Sequence, residues 1–328
     1  MQAHQLPARR RLLAAATAAL ALCSLAPAAS AQAFPNKPIR FIIASAPGGG
    51  TDAIGRVIAD TLAAHFKQPV VPENRPGASG VIASEMVYRA PPDGYTIAIV
   101  QNGHTVNPAI IKKLPYDTLN DFTPVASLAR SPLVLIAASP SGVKTVKEML
   151  ELGRRTPASM NFASAETSSR LAVEMMSGAS GLPMNTVYYK GTGPAVTDVA
   201  GGHVNFTVTT IASTLAHRDG GKINYLAAMA PERSPFLPEV PTLAEQGLPD
   251  ITVLAWWGII APPNLPKPIL QTLNSAIRDA LASAEVKKRM DVLSVSPWPQ
   301  SPEDFDKFLR KEVEVTLNVA RKAGIQAE

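Results

Sequence analysis

The sequence is poor in the side chains that carry most covalent and metal chemistry. It has one cysteine, Cys23, and five histidines, His4, His65, His104, His203 and His217, which are scattered without metal-ligand spacing. Cys23 lies inside an apolar N-terminal stretch. A chain that loses that stretch has no thiol, so disulfides and thiolate chemistry are excluded. Leu22 precedes Cys23 where a lipoprotein cysteine would follow Gly, Ala or Ser, which argues against lipidation. There is no H-E-x-x-H, no G-x-S-x-G turn and no G-x-x-x-x-G-K-[ST] loop. Nothing therefore proposes a zinc protease, a serine hydrolase or a Walker nucleotide site. No catalytic residue, metal site or cofactor is expected. Charge of one sign is also scarce: 31 basic against 26 acidic side chains gives +5. Arg9, Arg10 and Arg11 belong to the N-terminal stretch, and without them about +2 remains. That offers no clustered basic face, and no nucleic-acid partner is expected.

What is present begins with an address. Arg9 to Arg11 form a positive start, residues 12–25 an apolar run, and residues 28–33 (AASAQA) place small residues at alternate positions. This order is that of a secretory signal, with cleavage after Ala31 or Ala33. The run is too short to span a bilayer, and no later run approaches that length. Residues 1–33 are read as signal peptide, with Sec and twin-arginine export both open. A short N-terminal anchor is the alternative. About 295 residues remain, enough for two domains with sizeable cores.

These residues alternate strand and helix patterns. Strands are expected at 39–44, 69–72, 95–100, 133–138, 161–163, 186–189, 205–209, 225–229 and 253–260. Helices are expected at 53–66, from 80 to about 90, at 146–154, 171–177, from about 195, at 269–282 and from 302 to about 323. Ser301, with Asp304 three residues on, marks the start of the last helix. The alternation implies an α/β fold with a mainly parallel sheet covered on both faces.

Several turns join a strand to a helix and are rich in glycine or hydroxyls. They are 47–52 (PGGGTD), 74–80 (NRPGASG), 164–169 (SAETSS) and 190–194 (KGTGP). Such a turn aims orphan backbone N–H groups and a positive helix end at one point, which suits an anion. Glycine lets the ligand approach the backbone, and Thr51 or Asp52 can cap the helix that follows. Each turn alone also reads as a tight connection without a ligand. Together, at the carboxyl edge of a parallel sheet, they point to a cleft. Gly48 to Ala53 formally fits the dinucleotide pattern G-x-G-x-x-A, with Glu73 placed as a ribose-binding acid would be. Export argues against that reading. His104, just after the third strand, is a candidate contact at the cleft edge, or an ordinary surface histidine. Trp256 and Trp257 read as core or hinge packing ahead of a stacking platform.

FPNKPIRFII, APGGGTDAIGR, ENRPGASGVIAS, PPDGYT, DFTPVASL, VYYKGTGPAVTDVAGGHVNF and LPEVPTLAEQGLP occur in this order from Phe34 almost to the C-terminus. In this combination the chain resembles the tripartite tricarboxylate transporter substrate-binding proteins, the TctC or Bug family. The resemblance implies a type II periplasmic binding-protein fold, with two α/β lobes hinged like a Venus flytrap. It implies lobe 1 at 34–133 plus 257–328 and lobe 2 at 134–256. It further implies a periplasmic monomer, not an enzyme, that captures a small organic acid and delivers it to membrane permease subunits. A secreted α/β enzyme and a ligand sensor for a membrane signalling protein are the alternatives.

By position, the resemblance implies ligand contacts at Ser45, Ala46, Gly48, Gly49, Thr51 and Asp52 in the first turn, and at Ala78 and Ser79 in the second. The other lobe would add Ser164, Ala165, Glu166 and Thr167, then Lys190, Gly191 and Thr192, with Asn205 in the place of a frequent family aspartate. Three departures bear on the cargo. Ser45 replaces a usual aromatic residue, residues 163–169 lack the usual glycines and introduce Glu166, and Asn205 weakens the case for a cationic amino group. The expected ligand is a non-amino-acid mono- or dicarboxylate, aromatic acids included.

Overall fold

In the computed structural model the chain divides into two compact units, Met1–Asn36 and Lys37–Glu328. The structure describes residues 34–328 apart from 49, 166, 190, 219, 249–250, 323–326 and 328. The expected signal peptide, with Cys23, Ala31 and Ala33, lies outside the described residues. No described helix is long and apolar enough to cross a membrane.

The second unit opens with β1 (Ile39–Ile43), α1 (Gly50–Phe66), β2 (Val70–Asn74), α2 (Val81–Tyr88), β3 (Thr96–Gln101) and α3 (Gly103–Ile110). β1 is buried except at Arg40, as a strand covered on both faces must be. Its neighbours β2 and β3 run parallel to it. α1 buries Ile54, Val57, Ile58 and Leu62 at helical spacing. Gly55 lets that face sit close, because a Cβ there would lie 2.9 Å from Ile43 Cδ1.

β4 (Thr123–Ala138) is sixteen residues long and ties the molecule together. Its first part pairs antiparallel with β9 (Leu254–Ala261), and its last part with β7 (Phe206–Thr210) and β8 (Ile223–Ala228). The change of partner falls between Pro132, opposite Leu254, and Leu133, opposite Thr210. A proline has no N–H for a ladder, so it fits where one ladder ends and another begins. Between β4 and β9 the chain adds α4 (Val146–Arg155), β5 (Asn161–Ser164), α5 (Thr167–Ser180), β6 (Asn185–Tyr188), α6 (Thr192–Ala200), then β7, α7 (Ile211–Arg218) and β8. It closes with α8 (Lys267–Ala282), α9 (Ala284–Val292), β10 (Ser296–Pro297) and α10 (Pro302–Lys322). The strand order is β2-β1-β3-β9-β4-β7-β5-β6, with β8 and β10 also on β4.

The fold is a two-lobed α/β architecture in which each lobe buries its own cluster. One gathers Ile42, Ala98, Val100, Trp256, Phe305 and Leu309, the other Val134, Ile136, Ala163, Val196, Val199 and Ile211. Several expectations need correction. The sheet is mixed, because the returning strands β4 and β9 run antiparallel to their neighbours. The expected strand at 133 starts ten residues earlier. The short helices α3, α7 and α9 had no counterpart among the expected elements. Ser301 does start α10, accepting the Asp304 N–H at 3.1 Å.

Candidate functional site

The first turn is built around one carboxylate. Asp52, third in α1 and 5% exposed, accepts the Gly48 N–H at 2.9 Å on one oxygen. Its other oxygen accepts Arg56 Nε at 3.0 Å and Asn74 Nδ2 at 2.8 Å. The Asn74 amide also donates to the Ser45 carbonyl, and its oxygen accepts Arg56. Burial would raise the Asp52 pKa, but Arg56, the Gly48 amide and Asn74 outweigh it and hold the carboxyl below its ordinary value. Asp52 is thus spent on shaping the turn. Gly48 sits at φ +83, which favours glycine.

A cavity of about 390 Å³ opens beside this turn. Lobe 1 lines it with Gly48, Gly50, Thr51, Ala53 and Ile54, and with Gln101 at the end of β3. The crossing strands β4 and β9 supply Ser131 and Trp257, and the segment between α9 and β10 supplies Leu293 and Val295. Lobe 2 supplies Thr192, first in α6, and Thr210, Ala212 and Ser213 around the start of α7. Three helices of 17, 9 and 8 residues therefore begin at this space. Their unpaired N–H groups and dipoles make it attractive to an anion. None of the described lining residues carries a charge; hydroxyls and one amide make the polar part. Thr210 and Ser213 share a hydrogen bond of 2.7 Å, and Ser131 donates to the Ser294 carbonyl at 3.0 Å.

Among the expected contacts, Gly48, Thr51 and Thr192 line this cavity. Gly49, Glu166 and Lys190 lie outside the described residues. Ser45, Ala46, Asp52, Gly191, Ser164, Ala165 and Thr167 are not among its lining residues. The second turn is placed differently. Gly77, Ala78, Ser79 and Gly80 all have positive φ, and the Ser79 carbonyl accepts Asn107 Nδ2 at 3.2 Å. A Cβ on Gly103 would lie 2.6 Å from that carbonyl, so α3 packs directly on the turn. Ser79 borders a separate space of about 10 Å³ next to Gln101, and Ala78 borders neither cavity.

Two expected contacts are corrected. His104 is not at the cleft edge: it is 3% exposed, 3.3 Å from Ser84 Oγ and packed on Phe122 and Tyr116. Burial pushes its pKa down to about 4, against a hydrogen bond to the Thr118 backbone, so the ring is a neutral core residue. Asn205 precedes β7, whose far end, Thr210, is the part at the cavity. Five residues of strand span roughly 16 Å, which puts Asn205 at the opposite sheet edge. Glu73 does not stand as a ribose-binding acid either. Both its oxygens meet Arg40, at 2.9 and 3.0 Å, with Arg75 at 3.3 Å.

Gln101, Ser131, Ser213 and Trp257 were missed. Trp256 is fully buried against Phe305 and Phe308, and Trp257 is buried too but also lines the cavity. The others left no motif in the sequence. Among the described residues no group of three or more His, Cys, Asp or Glu side chains could hold a metal ion.

Residues 54–325 match the model of the tripartite tricarboxylate transporter family receptor, TctC. The chain is 34% identical over 309 residues to the UPF0065 protein in the tcbD-tcbE intergenic region of Pseudomonas sp., covering 93% of this chain and 92% of that one. The structure of Rpa4515 from R. palustris with adipate superposes with a TM-score of 0.81 at 29% identity, covering 90% of this chain and 100% of that one. MatC from Rhodopseudomonas palustris with bound malate superposes at 0.76 with 31% identity, covering 88% and 100%. Sequence, fold and cleft agree: the chain belongs to the TctC family of tripartite tricarboxylate transporter receptors and is a substrate-binding protein, not an enzyme.

Proposed function

We propose that this protein captures a small non-amino-acid mono- or dicarboxylate in the cavity between its lobes and delivers it to a tripartite tricarboxylate-type permease in the membrane. The observation that carries this reading is three helix N-termini opening on a space whose described lining residues are uncharged and rich in hydroxyls. Backbone N–H groups can take a carboxylate there without a lysine or arginine. Similar proteins hold adipate and malate, which supports the class. The cavity of about 390 Å³ also has room for an aromatic acid. Lobe 1 is residues 34–133 with 257–328, and lobe 2 is 134–256. The protein acts as a periplasmic monomer after cleavage following Ala31 or Ala33, which N-terminal sequencing of the exported protein tests.

Thermal-shift screening across amino acids, aliphatic diacids and aromatic acids tests the ligand class. Stabilisation by diacids or aromatic acids is expected, because a ligand bound only by the folded state raises its melting temperature. Stabilisation by amino acids alone would overturn the reading.

A further inference from the structure

A hydrogen-bond chain runs from the crossing strand into the cavity wall. Trp257 Nε1 donates to Thr51 Oγ1 at 2.9 Å, and Thr51 Oγ1 donates to Gln101 Oε1 at 2.6 Å. Its direction follows from chemistry. An indole N–H can only donate, so the Thr51 oxygen accepts from it. Thr51 has a single hydroxyl proton, and among the described residues Gln101 is the acceptor it meets. The Gln101 side chain must therefore turn its oxygen to Thr51 and its NH₂ the other way.

That NH₂ meets no acceptor among the described residues, and Gln101 is half-buried in the cavity wall. The next residue clamps this end of β3. Asn102 donates to the Leu254 carbonyl at 2.7 Å and accepts the Trp256 N–H at 3.2 Å. Thr51 fixes the Gln101 oxygen, which leaves the NH₂ turned away from that bond as the donor the side chain offers.

We infer that Gln101 is a specificity-determining ligand contact, its amide locked by Thr51 and Trp257 so that the cavity presents an N–H donor to a ligand oxygen. The inference rests on the carboxylate reading above and adds the group that discriminates. The helix starts at Gly50, Thr192 and Ile211 also present donors. A carboxylate finds donors on every side, whereas an ammonium group at the Gln101 amide meets an N–H donor it cannot pair with. Rejection comes from unpaired donors, which no rearrangement of the locked amide relieves.

The test uses Gln101→Glu and Trp257→Phe in the exported, full-length mature protein. Gln101→Glu still accepts from Thr51 but replaces the NH₂ by an anionic oxygen. Calorimetry with adipate, malate and benzoate should show at least a tenfold loss for whichever binds wild type most tightly. Trp257→Phe keeps an aromatic wall but frees Thr51, and a smaller loss is expected. A readout without ligand follows the side-chain ¹⁵NH₂ signals of Gln101, assigned by their disappearance in Gln101→Glu. They should shift in Trp257→Phe and shift again when the carboxylate binds wild type. Equal carboxylate affinity in wild type and Gln101→Glu would overturn this inference and leave the carboxylate reading intact. So would Gln101 signals that do not move in Trp257→Phe. Binding of hexane-1,6-diamine by wild type in preference to adipate would overturn both.

Discussion

Asp52 takes three donors while being almost fully buried, so its loss strands the Gly48 amide and the Arg56 and Asn74 side chains together. Asp52→Ala should lower stability by about 0.5–2 kcal/mol at neutral pH, the scale of losing a carboxylate that bonds the start of a helix. Because the folded carboxyl is more acidic than its ordinary 3.8, its stabilisation is complete above that value and is lost as pH falls through the lowered one. Urea unfolding of wild type and Asp52→Ala should therefore converge as pH drops below the ordinary carboxylate range. His104 acts in a neighbouring window. The unfolded ring takes a proton below about 6.5 and the folded ring only near 4, so its contribution is full above 6.5 and is lost progressively down to 4. The slope is at most about 1.4 kcal/mol per pH unit. His104→Gln should flatten it, as measured by urea midpoints between pH 7 and 4. Gly48→Ala meets no atom within 4 Å, so its cost is conformational, about 1–2 kcal/mol from holding a side chain at positive φ, and a thermal melt should show it.

Elements are positioned by close approach as much as by apolar pattern. β9 meets α10 at Gly258, where a Cβ would overlap the Phe305 ring. Trp256 on the same strand packs on Phe305 and Phe308 of that helix, with ring centroids at 5.9 and 5.5 Å. Gly258→Ala should destabilise by about 1–3 kcal/mol through overpacking. Adding Phe305→Leu should recover part of that loss, and non-additivity in the double-mutant cycle is the signature of direct contact. The helix patterns in the sequence were informative where an apolar face is long, as in α1 and α10, whose boundaries shifted by a few residues at most. The eight-residue α3 and α7 have too few turns to show a period, and Pro108 sits inside α3. They matter nonetheless: α3 supports the left-handed second turn, and the start of α7 carries Ala212 and Ser213 to the cavity.

At the scale of the whole molecule, β4 and β9 join the lobes, and β4 changes partners at Pro132. Two lobes joined by such crossing strands can close on a ligand that touches both. The cavity is lined from both sides, with Thr51 and Gln101 in one lobe and Thr192 and Ser213 in the other. A carboxylate that stabilises the protein in the melt should then also reduce its radius of gyration in small-angle scattering. An unchanged radius would mean that the cleft is already in its binding shape.

The sequence by itself determined the class of molecule. Apolar periodicity, glycine-rich turns after strands and the ordered motifs led to two α/β lobes and a cleft, because these depend on local geometry and on spacing along the chain. Gly48, Thr51 and Thr192, picked from their turns, line the cavity. Only the tertiary structure decided which turns face the cavity and which face the core. Asp52, expected as a contact, organises the turn, and His104, expected at the cleft edge, is the second residue of α3 and lies buried against Tyr116 and Phe122. Gln101 and Trp257, 156 residues apart, became partners through the pairing of β3 with β9, register by register. No periodicity records a contact between distant strands. The direction of a hydrogen bond across them is set only when the sheet forms.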